Sequence, residues 1–133
     1  MELMGPSDNV LRGGLTGKHV DVDELLAVLD TTPSPAVRLD PVTCGPGARN
    51  YRTAEAAKGQ GADFELLEIT DDAVVTTGGP SLIAVLEGSF VVSEKQSDAC
   101  RDADRGSFLL HTSAGALELV GSGKAFIATP RRA

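Results

Sequence analysis

Residues 64–92, FELLEITDDAVVTTGGPSLIAVLEGSFVV, decide the fold, because short apolar runs recur in them between turn residues at a spacing too tight for helices. Residues 64–70, 73–76, 82–86 and 90–92 are predicted strands, punctuated by Gly78-Gly79-Pro80 and Glu87-Gly88. The same texture continues outward. Residues 107–110, 116–120 and 125–129 read as strands downstream, separated by turns at 102–106, Gly115 and 121–123, and residues 37–42 read as one upstream. Eight or so short strands at this spacing predict a mainly β fold, an antiparallel β-sandwich or barrel.

Upstream of the strands the chain changes character. Residues 45–61, GPGARNYRTAEAAKGQG, are polar and carry neither the helical nor the strand period, so they read as a long connection. Its single tyrosine, Tyr51, is expected to anchor it on the sheet rather than to meet a ligand. Thr31-Thr32-Pro33-Ser34-Pro35 ends a helical pattern in which Val22, Leu25, Leu26, Val28 and Leu29 recur on one face. Asp21 with Glu24 three residues on has the form of a capping box, predicting one short helix over residues 21–30. The expected division is therefore residues 1–35, loop and helix, and residues 36–133, a β domain.

The bulk numbers narrow the function classes. With a formal charge of −7 and a pI near 4.7, the chain lacks the clustered cations that a nucleic acid or an anionic membrane surface requires. A single phosphate is still within reach, since two or three cationic side chains can bind one locally. Cys44 and Cys100 lie far apart and outside any CxxC pattern, which points to neither a disulfide framework nor a zinc knuckle. No run approaches the length of a membrane span, and MELMGPSDN lacks the basic and apolar parts of a secretory leader, so the cytoplasm is the expected location.

One loop gathers reactive side chains. Asp8, Arg12, Lys18 and His19 fall within a Gly-rich stretch ahead of the helix, a set that could hold an anion through charge-assisted hydrogen bonds or simply form a solvated face. Residues 7–22, SDNVLRGGLTGKHVDV, followed by DELLAVLD, resemble the block SDNVxRxGLTPKxxDVxxL of type I, zinc-dependent mannose-6-phosphate isomerases, which are cupin-fold enzymes. The Pro-rich TTPSP, the Tyr-containing ARNYRT and the strand-rich remainder follow in that family's order, so the resemblance implies a C-terminal portion with a metal-free cupin sheet. Gly17 stands where the family usually has proline and Gly13 where alanine is common, which leaves the loop less rigid.

The resemblance places the family's active-site residues on Asp8, Arg12 and Lys18, and leaves His19 outside the site. It implies mannose 6-phosphate and fructose 6-phosphate as substrates, interconverted by moving a proton between adjacent carbons through an enediol-like intermediate. The family's zinc ligands, a Gln, two His and a Glu, lie upstream of this block, so zinc is expected in the intact enzyme and no metal in this chain. His111, after Phe108-Leu109-Leu110, is expected to end a strand at the surface. A chain that begins inside the catalytic region is expected to be inactive alone, and to self-associate through the uncovered helix face of Val22, Leu25, Leu26 and Leu29. The contrasting reading is a stand-alone β-sandwich that binds a sugar or a protein, with residues 7–18 only a lead-in.

Overall fold

The computed structural model describes residues 10–33, 38–53, 63–95, 97 and 99–131. The chain divides into two compact units, residues 1–38 and 39–133.

In the first unit an irregular loop of bends runs from residue 10 to residue 20 and leads into helix α1, Val22–Val28. The extended Asp21 caps it, its carboxylate accepting the Glu24 N–H at 3.0 Å, as the Asp-x-x-Glu spacing predicts. The helix stops two residues before the expected end. Leu29 leaves the helical conformation while its N–H still reaches the Leu25 carbonyl at 3.0 Å. One step on, Asp30 takes the Thr32 N–H at 2.9 Å, a local turn that competes with further helix. Hydrogen bonds from Thr32 hold the Asp30 carboxyl below its usual pKa. No residue of α1 is buried, and Val22, Leu26, Val28 and Leu29 are exposed apolar side chains.

The second unit is one antiparallel sheet of eight strands: β1 Val42–Gly45, β2 Ala48–Asn50, β3 Phe64–Ile69, β4 Ala73–Thr77, β5 Ser81–Glu94, β6 Cys100–Asp104, β7 Phe108–His111 and β8 Gly115–Pro130. Mainly β with one short helix is therefore the observed fold class. The order β1-β2-β3-β8-β5-β6 is open, with no closure into a barrel, while β4 joins β8 and β7 joins β5 beside it. The centre is the pair of long strands. The first part of β8 pairs with β4 and the last with β3, whereas β5 pairs with β7 first and β6 later.

These two strands correct the expected division into shorter pieces. Glu87-Gly88 and residues 121–123 were expected as turns, yet β5 runs through the first and β8 through the second, paired Gly88 to Gly123 and Phe90 to Gly121. The ladder shifts register between Val85 and Glu87, and Gly88 sits at φ 70°. A bulge has the local backbone needs of a turn, so glycine marks both. Beyond the bulge the inward side chains still reach one core. Ile83, Val85, Phe90 and Val92 of β5 cluster with Leu117, Leu119, Ala125 and Ile127 of β8 and Leu67 and Ile69 of β3. Each such aliphatic side chain contributes about 1.5–3 kcal/mol by leaving water.

Two further expectations change. Of the strand expected over 37–42, the described residues 38–41 are not in a strand and β1 starts at Val42, and the connection over 45–61 begins as a hairpin: Pro46-Gly47 turns β1 into β2, with Gly47 at φ 61°. Residues 54–61 of that connection lie outside the described residues. Strand β6 replaces most of the turn expected over residues 102–106, and the chain turns only at Arg105-Gly106.

Candidate functional site

The loop of residues 10–20 places Arg12 and Lys18 in one unit with helix α1. Arg12 is half-buried and donates from Nη1 to the Val10 carbonyl at 3.4 Å, spending one of its five donors on its own loop. Lys18 is exposed; its backbone N–H donates to the Thr16 hydroxyl at 3.2 Å, which pins the turn without using the ammonium. Among the described residues, no carboxylate forms an ion pair with either cation. Leu15 holds φ 55° between them, a left-handed conformation that a branched side chain rarely adopts. A β-carbon on Gly13 would come within 2.9 Å of Leu25 Cδ2, so the loop passes close over the helix at that point. Asp8, the third expected member, lies outside the described residues. The loop thus offers two cations without acidic partners among the described residues, an arrangement suited to an anionic oxygen.

Two polar clusters that composition did not announce lie in the sheet unit. On the outer face Glu68 is buried to 4% exposure, its Oε2 receiving Arg49 Nη2 at 2.8 Å and the Tyr51 hydroxyl at 3.2 Å. Register explains the meeting, since Arg49 lies directly opposite Glu68 across β2 and β3. The Tyr51 ring lies 6.5 Å from that of Phe126, so the tyrosine does anchor this segment on the sheet. Burial and the adjacent Glu68 charge push the Tyr51 phenol above its ordinary pKa.

A raised folded-state pKa means that the native protein holds the phenolic proton more firmly than the unfolded chain does. That contribution to stability is complete below the unfolded value, about 10, and is lost as pH rises through the folded one. Urea midpoints at pH 8 and pH 11 should therefore fall further for the native chain than for Tyr51→Phe. Equal falls would show that the phenol plays no part.

The second cluster corrects the expectation for His111, which is buried rather than at the surface. Its side chain is 5% exposed, with Nε2 2.7 Å from Glu94 Oε1 and 3.3 Å from the Ser113 hydroxyl, and Nδ1 3.4 Å from Thr77 Oγ1. It ends β7 opposite Ser81, on the core face, because Phe108 and Leu110 take the outward positions. The run Phe-Leu-Leu-His has no alternation from which this could be read.

Among the described residues no three His, Cys, Asp or Glu side chains come together in a way that would hold a metal ion. The described residues therefore do not fit a zinc site. No helix among them is long and apolar enough to cross a membrane.

Comparison with known proteins gives a consistent picture. No family model matches the chain. A mannose-6-phosphate isomerase of Ogataea parapolymorpha is 29% identical over 93% of this chain, and one of Bos taurus is 29% identical over 82%. That of Salmonella typhimurium is 51% identical over a shorter stretch of 39 residues. The chain spans about 27–30% of the length of the two relatives matched along most of it. Among solved structures, a phosphomannose isomerase variant from Salmonella typhimurium superposes with a TM-score of 0.74 and 21% identity over 94% of this chain and 32% of that one. A zinc-bound mannose 6-phosphate isomerase superposes with a TM-score of 0.73 over 93% of this chain and 31% of that one. The chain is thus a partial match to mannose-6-phosphate isomerases in sequence, and shares the fold of the matching part.

Proposed function

We propose that this chain is part of a cytoplasmic mannose-6-phosphate isomerase, that its loop of residues 7–18 supplies Asp8, Arg12 and Lys18 to the active site, and that the sheet unit supports that site. The observation that carries this is the agreement of sequence match and fold with the same enzymes, joined to two loop cations that have no acidic partner among the described residues.

In this reading the aldose phosphate and the ketose phosphate interconvert by transfer of a proton between adjacent carbons. Negative charge builds on the enediolate oxygens, and the planar, permanently charged Arg12 suits those oxygens or the phosphate. Lys18, a compact charge on a flexible stem, suits the phosphate or the proton transfer. Asp8 orients one of the two cations or carries a proton. Zinc belongs to the intact enzyme and is held by residues outside this chain, so no step here runs through it.

The test is a hybrid in which this chain replaces the matching segment of the Ogataea parapolymorpha enzyme, measured beside the 133-residue chain alone in a coupled assay for fructose 6-phosphate. The hybrid is expected to be active and to lose activity to a chelator, and the chain alone to be inactive. A hybrid that folds by circular dichroism yet shows no activity would overturn the reading in favour of a non-catalytic binding module.

A further inference from the structure

The His111 cluster stands at the rim of a cavity of about 280 Å³ that the isomerase reading does not use. Its floor is apolar: Ile83 and Val92 of β5, Leu109 of β7 and Leu117 of β8, three of them nearly inaccessible to water. Its rim carries Arg101, Glu94 and Thr112 together with His111. An apolar hollow with a few convergent polar groups is the general form of a small-molecule site.

We propose that this cavity binds a small amphipathic anion, with its carboxylate or phosphate end on Arg101 and its apolar body on the floor of Ile83, Leu109 and Leu117. Charge decides the sign of the ligand. The Glu94 carboxylate already has a partner in the His111 imidazole, 2.7 Å away, and is not turned toward an incoming cation. Arg101 is the remaining charge of the rim, and among the described residues no carboxylate forms an ion pair with it.

Register explains why Arg101 is at hand. It lies opposite Val92 across β5 and β6, on the side that faces the cavity. One of its Nη1 donors goes to the neighbouring Cys100 carbonyl at 2.9 Å, which leaves the rest of the planar fork for a bidentate anion.

The imidazole is fixed in advance. Thr77 approaches Nδ1, and Glu94 and Ser113 approach Nε2, so the ring does not have to be ordered when a ligand arrives. Two kinds of ligand are disfavoured by the same geometry. A bare inorganic ion would leave the apolar floor wet, and a neutral hydrocarbon would leave the guanidinium without a partner. The inference stands whether or not the isomerase reading holds.

The experiment is a titration of the 133-residue chain, followed through the imidazole NMR signals of its two histidines, with benzoate, phenyl phosphate and the neutral benzyl alcohol in parallel. Benzoate or phenyl phosphate is expected to shift His111 saturably and to leave His19 unmoved, and whichever binds more tightly identifies the preferred anionic end. Arg101→Gln, at an exposed position that leaves the core untouched, is expected to weaken that binding about tenfold. Benzyl alcohol binding as tightly as the anions, an unchanged affinity in Arg101→Gln, or no shift of His111 with any probe would each overturn the proposal.

Discussion

Arg12→Ala in the hybrid enzyme is expected to lower kcat/KM for mannose 6-phosphate about a hundredfold. A hydrogen bond to a charged group is worth about 1.5–3 kcal/mol when the partner remains behind. Each ~1.4 kcal/mol is a factor of ten in rate, so losing one or two such bonds gives a change of this size. The division between kcat and KM carries further information. A guanidinium on the enediolate acts only as charge develops, so its loss falls on kcat, whereas one on the phosphate holds substrate and transition state alike and its loss falls on KM. Arg12→Lys should recover only part of the activity, because an ammonium keeps the charge without the planar fork. The chain's own geometry favours such a role, since Arg12 gives one hydrogen bond, at 3.4 Å, to its own backbone and keeps its other donors. A fall of less than threefold in a properly folded Arg12→Ala hybrid would remove Arg12 from the site.

The second large effect is on stability. Gly88→Ala should cost about 4 kcal/mol, measured as a shift in the urea unfolding midpoint of the 133-residue chain. Gly88 holds φ 70°, and a β-carbon there would stand 2.0 Å from the Ser122 carbonyl oxygen and 2.7 Å from Gly123 Cα. Both obstacles are backbone atoms of the facing strand, so no rotamer change relieves the clash and the central ladder has to open. For a domain of this size the loss corresponds to roughly 15–30 °C in Tm. Gly115→Ala provides the contrast, because a β-carbon there meets nothing within 4 Å, and it should change stability by less than about 0.5 kcal/mol. A Gly88→Ala chain that loses under about 1 kcal/mol would show that the bulge is far more pliable than its geometry implies.

The sequence carried the fold class and the loop well, and for different reasons. Strand content was legible because runs such as Phe64–Ile69 and Ala73–Thr77 are apolar and short and are bounded by turn residues. The helix was legible from its cap, but its end was not. What stopped it was the side chain of Asp30 turning back on Thr32, a competition that propensity does not weigh.

The breaks within β5 and β8 were misplaced because glycine serves a turn and a bulge equally, and only the partner strand distinguishes the two. Strand β6 was hidden by its composition. Cys100–Asp104 contains two aspartates and buries only Ala103, so its strand character comes from pairing with β5 rather than from its own residues. Arg12 and Lys18 are candidates because residues 7–22 resemble the signature block that carries them, and their part in a site rests on that resemblance. The burial of His111 was not legible, since it depends on which face of β7 meets the core.

The ladder between β5 and β8 has a consequence for how the chain reaches its native state. It joins residues as far apart as Leu82 and Ala128, yet it also carries most of the core. The hydrophobic reward therefore arrives only after a long loop has been closed, with β6 and β7 inside it. Topologies dominated by such distant pairings fold in roughly milliseconds to seconds rather than microseconds. During that interval β5, with alternating Ile83, Val85, Phe90 and Val92, is an unpaired apolar edge. Glu87 in its middle, Glu94 at its end and Lys95 just beyond are then the charges that keep one nascent chain from pairing with the next.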